Sequence, residues 1–397
     1  MAAGIFRIRF EDEVLRGDRI TVQGHELMNF GTASYLGLNL DPRLKAGAID
    51  AVSRYGPVYS SSTAFTAVPL YTELEERLGR MFGGHVVVAP TTTLAHMAAL
   101  PLLIPTGSDV FIDAQAHESL RLTAQIAKAS GSMVRSVPHN DMDALGEAVA
   151  QSATEAVWYL ADGVYSMFGD FAPVKEIDAL LDRFPTLHAY LDDAHGIGWA
   201  GEHGKGYVLS QVPVRDRMIV AGSLSKSMGA GGGVLVFSDE TTALRVRTLG
   251  GTMTFSGPLH PAELGAAIAS SDIHLSDEHA ELQSRLYEQI AYTRRLLEQA
   301  RLPVMAAADT PIWFVRIGKI PEGMEIVNRL QADGFNLNPA AYPAVPVGHA
   351  GVRFANSLYL PSTAFDDMIE ALTKHMSEVL AEPDIVIDLT DEHAPHL

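Results

Sequence analysis

Met218–Gly233 reads MIVAGSLSKSMGAGGG. Four apolar residues are followed abruptly by small and polar ones around Lys226, and then by a string of glycines. A short apolar run bounded by turn residues reads as a strand buried on both faces. A lysine just past such a strand, flanked by small residues, can reach into a cleft unobstructed. There it can be desolvated enough to lose its proton and free enough to swing between two partners. Ser223, three residues earlier, offers a hydroxyl suited to a phosphate oxygen. In isolation a glycine-rich turn with an incidental surface lysine is the commoner arrangement, so the neighbouring sequence has to decide.

Working outward, similar apolar runs recur at HVVVAP, DVFIDA, AVWYLAD, HAYLDDA and GVLVFS. They are spaced by amphipathic stretches such as LYTELEERLGRMF and MDALGEAVA. This alternation predicts an α/β fold: a mostly parallel sheet with helices on both faces, over about residues 44–271. A long helical pattern from Ala262 to Gln299 leads to the short strands IWFVRIG and GVRFANS and a last helix near Phe365–Leu380. That predicts a smaller α+β domain over 272–381, preceded by a strand-rich N-terminal arm at 1–43 and followed by an acidic tail at 382–397.

The ends of the predicted strands carry the other chemical signals. LDDAHG closes the strand HAYL, and a carboxylate there, Asp192, can pair with a protonated pyridine nitrogen, the main lever a protein has on pyridoxal 5'-phosphate. His195, three residues on, can reach that ring's phenolic oxygen. The threonines of PTTTLAH enter a helix, where hydroxyls and first-turn N–H groups suit a phosphate. Their plainer role is helix capping. His117, in DAQAHESL, can stack on an aromatic ring or simply be a satisfied, half-buried histidine. Ligands of doubly wound sheets gather at the carboxyl ends of the strands, and all these signals fall at such ends.

Composition narrows the field further. The chain has 397 residues, 47% hydrophobic and 19% charged, which suits a globular protein of more than one packed unit. A net charge of -19 without any Lys/Arg cluster excludes a nucleic-acid surface. With no cysteine there is no disulfide, no thiolate metal site and no thiol nucleophile. No metal site is expected. The opening MAAGIFRIRFEDEV is unlike a secretory signal, and the most apolar stretch, Met97–Ile104, is well short of the ~18 residues of a membrane span. A cytoplasmic protein is expected.

The ordered set NFGTASYLGL, PTTTLAH, FIDAQAHESL, PHNDMDAL, DGVYSMFGDFAPV, LDDAHGIGWAGEHGKG, GSLSKSMGAGGG and VPVGHAGVRF resembles the α-oxoamine synthases, fold-type-I pyridoxal-phosphate enzymes, from Asn29 to Leu380. The resemblance implies that Lys226 is the Schiff-base lysine and proton shuttle. It implies that Asp192 pairs with the pyridine nitrogen, His195 contacts the phenolic oxygen, His117 stacks on the ring and Ser166 supports the phenolic side. Thr92, Thr93 and Ser223 are implied phosphate ligands, with Ser256 entering from the partner of a homodimer. Arg353 is the implied grip on an amino-acid carboxylate, a task suited to its planar fork of donors. The activity implied is decarboxylative condensation of an amino acid with an acyl thioester, on coenzyme A or an acyl carrier protein, to an α-aminoketone.

Several positions depart from the family pattern. Ala33 stands for a usual Asn, Thr92–Thr93 for a Gly-aromatic pair, Tyr71 for a frequent His, Asp162 for a usual Glu and Leu360 for a frequent His. The alternative within the same chemistry is an aminotransferase or an aldolase-like lyase, which uses the same Lys, Asp and His. A nicotinamide-binding dehydrogenase is disfavoured because its fingerprint requires a third glycine at Val234. A serine hydrolase is disfavoured because no Gly-x-Ser-x-Gly elbow surrounds the candidate serines.

Overall fold

The computed structural model describes residues 8–306, 308–342 and 344–381; the expected acidic tail and the start of the expected arm lie outside them. In chain order the elements begin with β1 (Arg19–Val22), β2 (His25–Asn29), α1 (Pro42–Tyr55), α2 (Leu70–Phe82), β3 (His85–Ala89), α3 (Thr92–Leu103), β4 (Asp109–Asp113) and α4 (Glu118–Ala129). They continue with β5 (Met133–Val137), α5 (Met142–Gln151), β6 (Val157–Asp162), α6 (Val174–Arg183), β7 (Leu187–Asp192), α7 (Tyr207–Gln211), β8 (Met218–Ser223) and β9 (Gly233–Phe237). After these come α8 (Glu240–Leu249), α9 (Gly251–Thr254), α10 (Pro261–His274), α11 (Asp277–Gln299), β10 (Ile312–Gly318), α12 (Ile320–Ala332), β11 (Phe335–Asn336), β12 (Asn338–Ala340), β13 (Ala350–Ala355) and α13 (Ala364–Leu380).

The chain divides into two compact units. The larger comprises Leu38–Tyr165 and Phe171–Gln283; the smaller takes the residues up to Gly37, Ser166–Asp170 and those from Ser284 on. The larger unit is built on a seven-stranded sheet in the order β3-β9-β8-β7-β6-β4-β5. Strands β4 to β8 run parallel to their neighbours among themselves, while β9 lies antiparallel between β3 and β8. This is the α/β, mostly parallel sheet that the sequence predicts. Every residue of β4, β6, β8 and β9 is buried. Successive side chains alternate faces: Val157, Tyr159 and Ala161 enter one core, whereas Trp158 and Leu160 enter the other.

Two local readings differ from the sequence expectation. The helical pattern from Ala262 to Gln299 is two helices, α10 and α11, broken at Leu275–Ser276. Ser276 followed by Asp277 and Glu278 is a helix-start signature that restarts the helix there. Strand β5 was not anticipated. It is an edge strand in which only Val137 is buried, so its sequence lacks the apolar run that marks its neighbours.

The smaller unit has two three-stranded sheets, β1-β2-β11 and β10-β13-β12. Within it β13 is central and antiparallel to both neighbours, with Arg353 opposite Phe314 on one side and Asn338 on the other. Among the described residues no helix is long and apolar enough to cross a membrane.

Candidate active site

A cleft of about 510 Å³ opens at the carboxyl ends of the parallel strands. Seven of the sequence candidates line it: Thr92, Thr93, His117, Asp192, His195, Ser223 and Lys226. Ser166 and Arg353 fall in the smaller unit, where the guanidinium Nε donates to the Ser166 carbonyl at 2.7 Å. Ser256 is not among the cleft's lining residues; it follows α9, next to Phe255, which is 90% exposed.

Lys226 sits three residues past the end of β8, partly buried, in a loop closed on itself. Leu224 N–H donates to Gly232 O, Ala230 N–H to Leu224 O and Gly229 N–H to Lys226 O. Gly229 has φ +69°, and a Cβ there would stand 2.5 Å from Asn39 N, so the turn that presents the lysine tolerates only glycine.

Asp162 and Asp192 end adjacent parallel strands and face each other in register. Burial opposes the charged form of both. At Asp192 it is outweighed by His96, which hydrogen-bonds the carboxylate, and by Lys226 and His117 nearby, so its pKa lies below the ordinary carboxylate value. At Asp162 burial and the charge of Asp192 win, and the pKa rises well above that value. The two neighbouring carboxyls are thus shifted in opposite directions. Asp192 Oδ1 accepts from Ala194 N–H at 3.0 Å and Oδ2 contacts His96 Nε2 at 3.0 Å. Since a carboxylate offers about four lone-pair sites, acceptor capacity remains for a ligand.

The other end of the cleft is a helix N-terminus. Thr91 caps α3, its hydroxyl accepting from Leu94 N–H at 3.1 Å. This leaves the first-turn N–H groups of Thr92 and Thr93 without intrahelical partners. The Thr92 hydroxyl is already committed to Gly222 O at 2.9 Å, which leaves Thr93 as the free hydroxyl of the pair. A Cβ at Gly233 would lie 2.4 Å from Thr92 N, so the start of β9 must be bare for this turn to stay open. Ser223 and Ser225 add two hydroxyls, hydrogen-bonded to each other at 2.7 Å.

His117 is the N-cap of α4. Its own N–H donates to Asp162 Oδ1 at 2.9 Å, and its ring Nδ1 accepts from Ser119 N–H at 3.3 Å. The same Nδ1 contacts the Ser119 hydroxyl at 2.7 Å. Desolvation holds the ring's pKa below the usual imidazole value, against the pull of Asp192.

Sequence reasoning missed His96, which supports Asp192 from behind. It passed over Ser225 and Glu263 on the cleft wall, and noted Asp162 only as a departure. His96 was hidden in an apolar helix, where a histidine is ordinarily core. Ser225 could have been found as the first residue of Ser-Lys in the same loop. Glu263 lies far along the chain, in the first turn of α10, and gives no local signal.

An amine, a buried carboxylate with spare acceptors and a cluster of hydroxyl and N–H donors, set at the strand ends of this sheet, define a pyridoxal-phosphate-dependent transferase. A family model for class I and II aminotransferases matches residues 25–356. The 8-amino-7-oxononanoate synthase of Geobacter sulfurreducens is 33% identical over 341 residues, 85% of this chain and 86% of that protein. The serine palmitoyltransferase of Sphingobacterium spiritivorum is 28% identical over 360 residues, 89% of this chain and 87% of that one. A solved serine palmitoyltransferase from S. paucimobilis shares the fold, with a TM-score of 0.87 at 23% identity over 94% of this chain and 93% of that chain. The chain belongs to the α-oxoamine synthase family of the class I and II aminotransferases.

Proposed function

We propose that this protein condenses an amino acid with an acyl thioester, on coenzyme A or a carrier protein, releasing thiol and carbon dioxide and yielding an α-aminoketone. The observation that carries this reading is a buried Asp192, its pKa lowered mainly by His96, in the same cleft as Lys226, within a chain of this family. Bound there, pyridoxal phosphate supplies an electron sink for the pair left on the substrate α-carbon when first a proton and later a carboxylate departs.

The chain's own residues do the rest. Asp192 offers an anionic oxygen to the ring nitrogen, and its depressed pKa keeps that oxygen charged. Lys226 is the attachment amine and, once released, the base that takes the α-proton and returns one. His195 would hold the phenolic oxygen, and His117 would cover the ring face. The N–H groups at Thr92 and Thr93, the Thr93 hydroxyl and Ser223 hold the phosphate. Arg353, only 9% exposed and with its Nε held by the Ser166 carbonyl, is the proposed grip for an amino-acid carboxylate. We propose further that the protein acts in the cytoplasm as a homodimer with Ser256 reaching the partner's cleft. The exposed Phe255 beside it, and Phe65 at 83% exposed, support an apolar contact on that side.

The test is a panel of amino acids and acyl-CoAs offered to the cofactor-loaded protein. Free thiol and carbon dioxide in equal amounts from one pairing is the expected result. Keto acid or aldehyde without thiol from every pairing makes it an aminotransferase or an aldolase-like lyase.

A further inference from the structure

Asp192, on the cleft lining, ends a chain of three side chains whose other two members, His96 and Tyr190, lie outside that lining. His96, fully buried on α3, contacts Asp192 Oδ2 through Nε2 at 3.0 Å and the Tyr190 hydroxyl through Nδ1 at 2.8 Å. We infer that His96 is a positioning residue: the Tyr190 hydroxyl fixes its tautomer, and its Nε2–H fixes the Asp192 carboxylate that faces the cofactor. The inference rests on the reading of Asp192 as the ring-nitrogen partner.

The direction of each bond follows from donor inventory. An ionised carboxylate only accepts, so Nε2 must carry hydrogen. The Tyr190 hydroxyl makes no other hydrogen bond among the described residues. Were Nδ1 the donor, the phenol proton would be buried without an acceptor, at a cost that native interiors avoid. The phenol also stays protonated, because burial, with the charge of Asp192, raises its pKa well above the ordinary value. The chain therefore runs one way, Tyr190 O–H to His96 Nδ1 and His96 Nε2–H to Asp192.

Three features separate this from an incidental core histidine. Tyr190 and Asp192 belong to one strand, β7, two residues apart and hence on the same face, so a single ring on α3 can bridge them. His96 also meets Asp192 from outside the cleft lining, at Oδ2, while Ala194 N–H holds the other oxygen. Finally, His96 lies one turn after Thr92, about 6 Å along the helix axis. One rigid helix thus sets both the phosphate end and the nitrogen end of the cleft, and a shift of α3 moves them together.

The test uses holoprotein loaded with pyridoxal phosphate carrying 15N in the ring, whose NMR shift reports the ring nitrogen's proton without any turnover. For His96→Phe we expect the shift to move toward the unprotonated ring and the cofactor dissociation constant to rise about tenfold to a hundredfold, the scale of a lost charged hydrogen bond. Tyr190→Phe, which removes one oxygen, should move both in the same direction by about twofold to tenfold. His96→Gln, which keeps an N–H donor at similar reach, should restore most of the shift. A 15N shift identical to wild type in Tyr190→Phe and in the folded His96 variants, even with lowered melting temperatures, overturns the inference and leaves His96 a packing residue. If His96→Phe fails to fold, Tyr190→Phe decides alone. Asp192→Asn in the same measurement separates the two levels: no change there sinks the underlying reading of Asp192, whereas a change there with none at His96 and Tyr190 sinks only this one.

Discussion

The ends of β6 and β7 carry the same residue type in the same register, yet the two carboxyls are driven apart. Asp162 and Asp192 are both buried on adjacent strands. What differs is company. Asp192 has an imidazole donor behind it and positive charge nearby, whereas Asp162 has mainly the negative charge of Asp192 and one backbone N–H. Two like charges this close cannot both persist, so one site keeps the charge and the other keeps the proton. Placement at a strand end therefore does not make a catalytic carboxylate; the donors that converge on it do.

Experiments can strain this contrast, beginning with the residue that both carboxyls face. Lys226→Ala should lower turnover on the order of 10⁴-fold. Borohydride reduction followed by peptide mass analysis should then find no cofactor on the peptide that holds position 226. Asp192→Asn should lower turnover by about 10²–10³-fold, the scale of one lost electrostatic contact to a developing charge. Asp162→Asn, which keeps the acceptor for His117 N–H and replaces a carboxyl that is already neutral, should change turnover by less than about threefold. Equal losses in the two Asn variants would erase the distinction between the strands.

The smallest effect is on stability. With its native pKa raised, Asp162 keeps its proton to higher pH in the folded state than in the unfolded chain, which gives it up near pH 4, so wild-type stability from this group falls as pH rises toward the raised native pKa. Asp162→Asn lacks that loss. Its melting temperature relative to wild type should climb between pH 5 and pH 8, measured by calorimetry; a constant difference would mean Asp162 is ionised.

How much of this was legible beforehand depended on whether a feature is written in consecutive residues. The buried strands of the larger unit are, because burial on both faces demands an unbroken apolar run, as in MIVAGS and AVWYLAD. The cleft residues Lys226, Asp192, His195 and His117 are too, since each follows such a run. Strand β5 is not, because an edge strand with a solvated face needs no such run. Thr92 shows a subtler limit. Its place at a helix start was readable, but Thr91 takes the cap and the Thr92 hydroxyl goes to Gly222, a residue 130 positions away. His96 was unreadable for the same reason: its meaning comes from Tyr190 and Asp192, which only folding brings near.

The placement of β9 has a consequence for how the molecule is made. Among the described residues strand β3 finds its only sheet neighbour in β9, which emerges from the ribosome roughly 150 residues later, about 7–30 s at ordinary translation speed. Until then β3 offers an unpaired, largely apolar edge, and the first turn of α3 has no Gly233 to lie against. The newborn chain thus passes through a long interval in which a holding chaperone has something to bind, and the coenzyme has nowhere to settle.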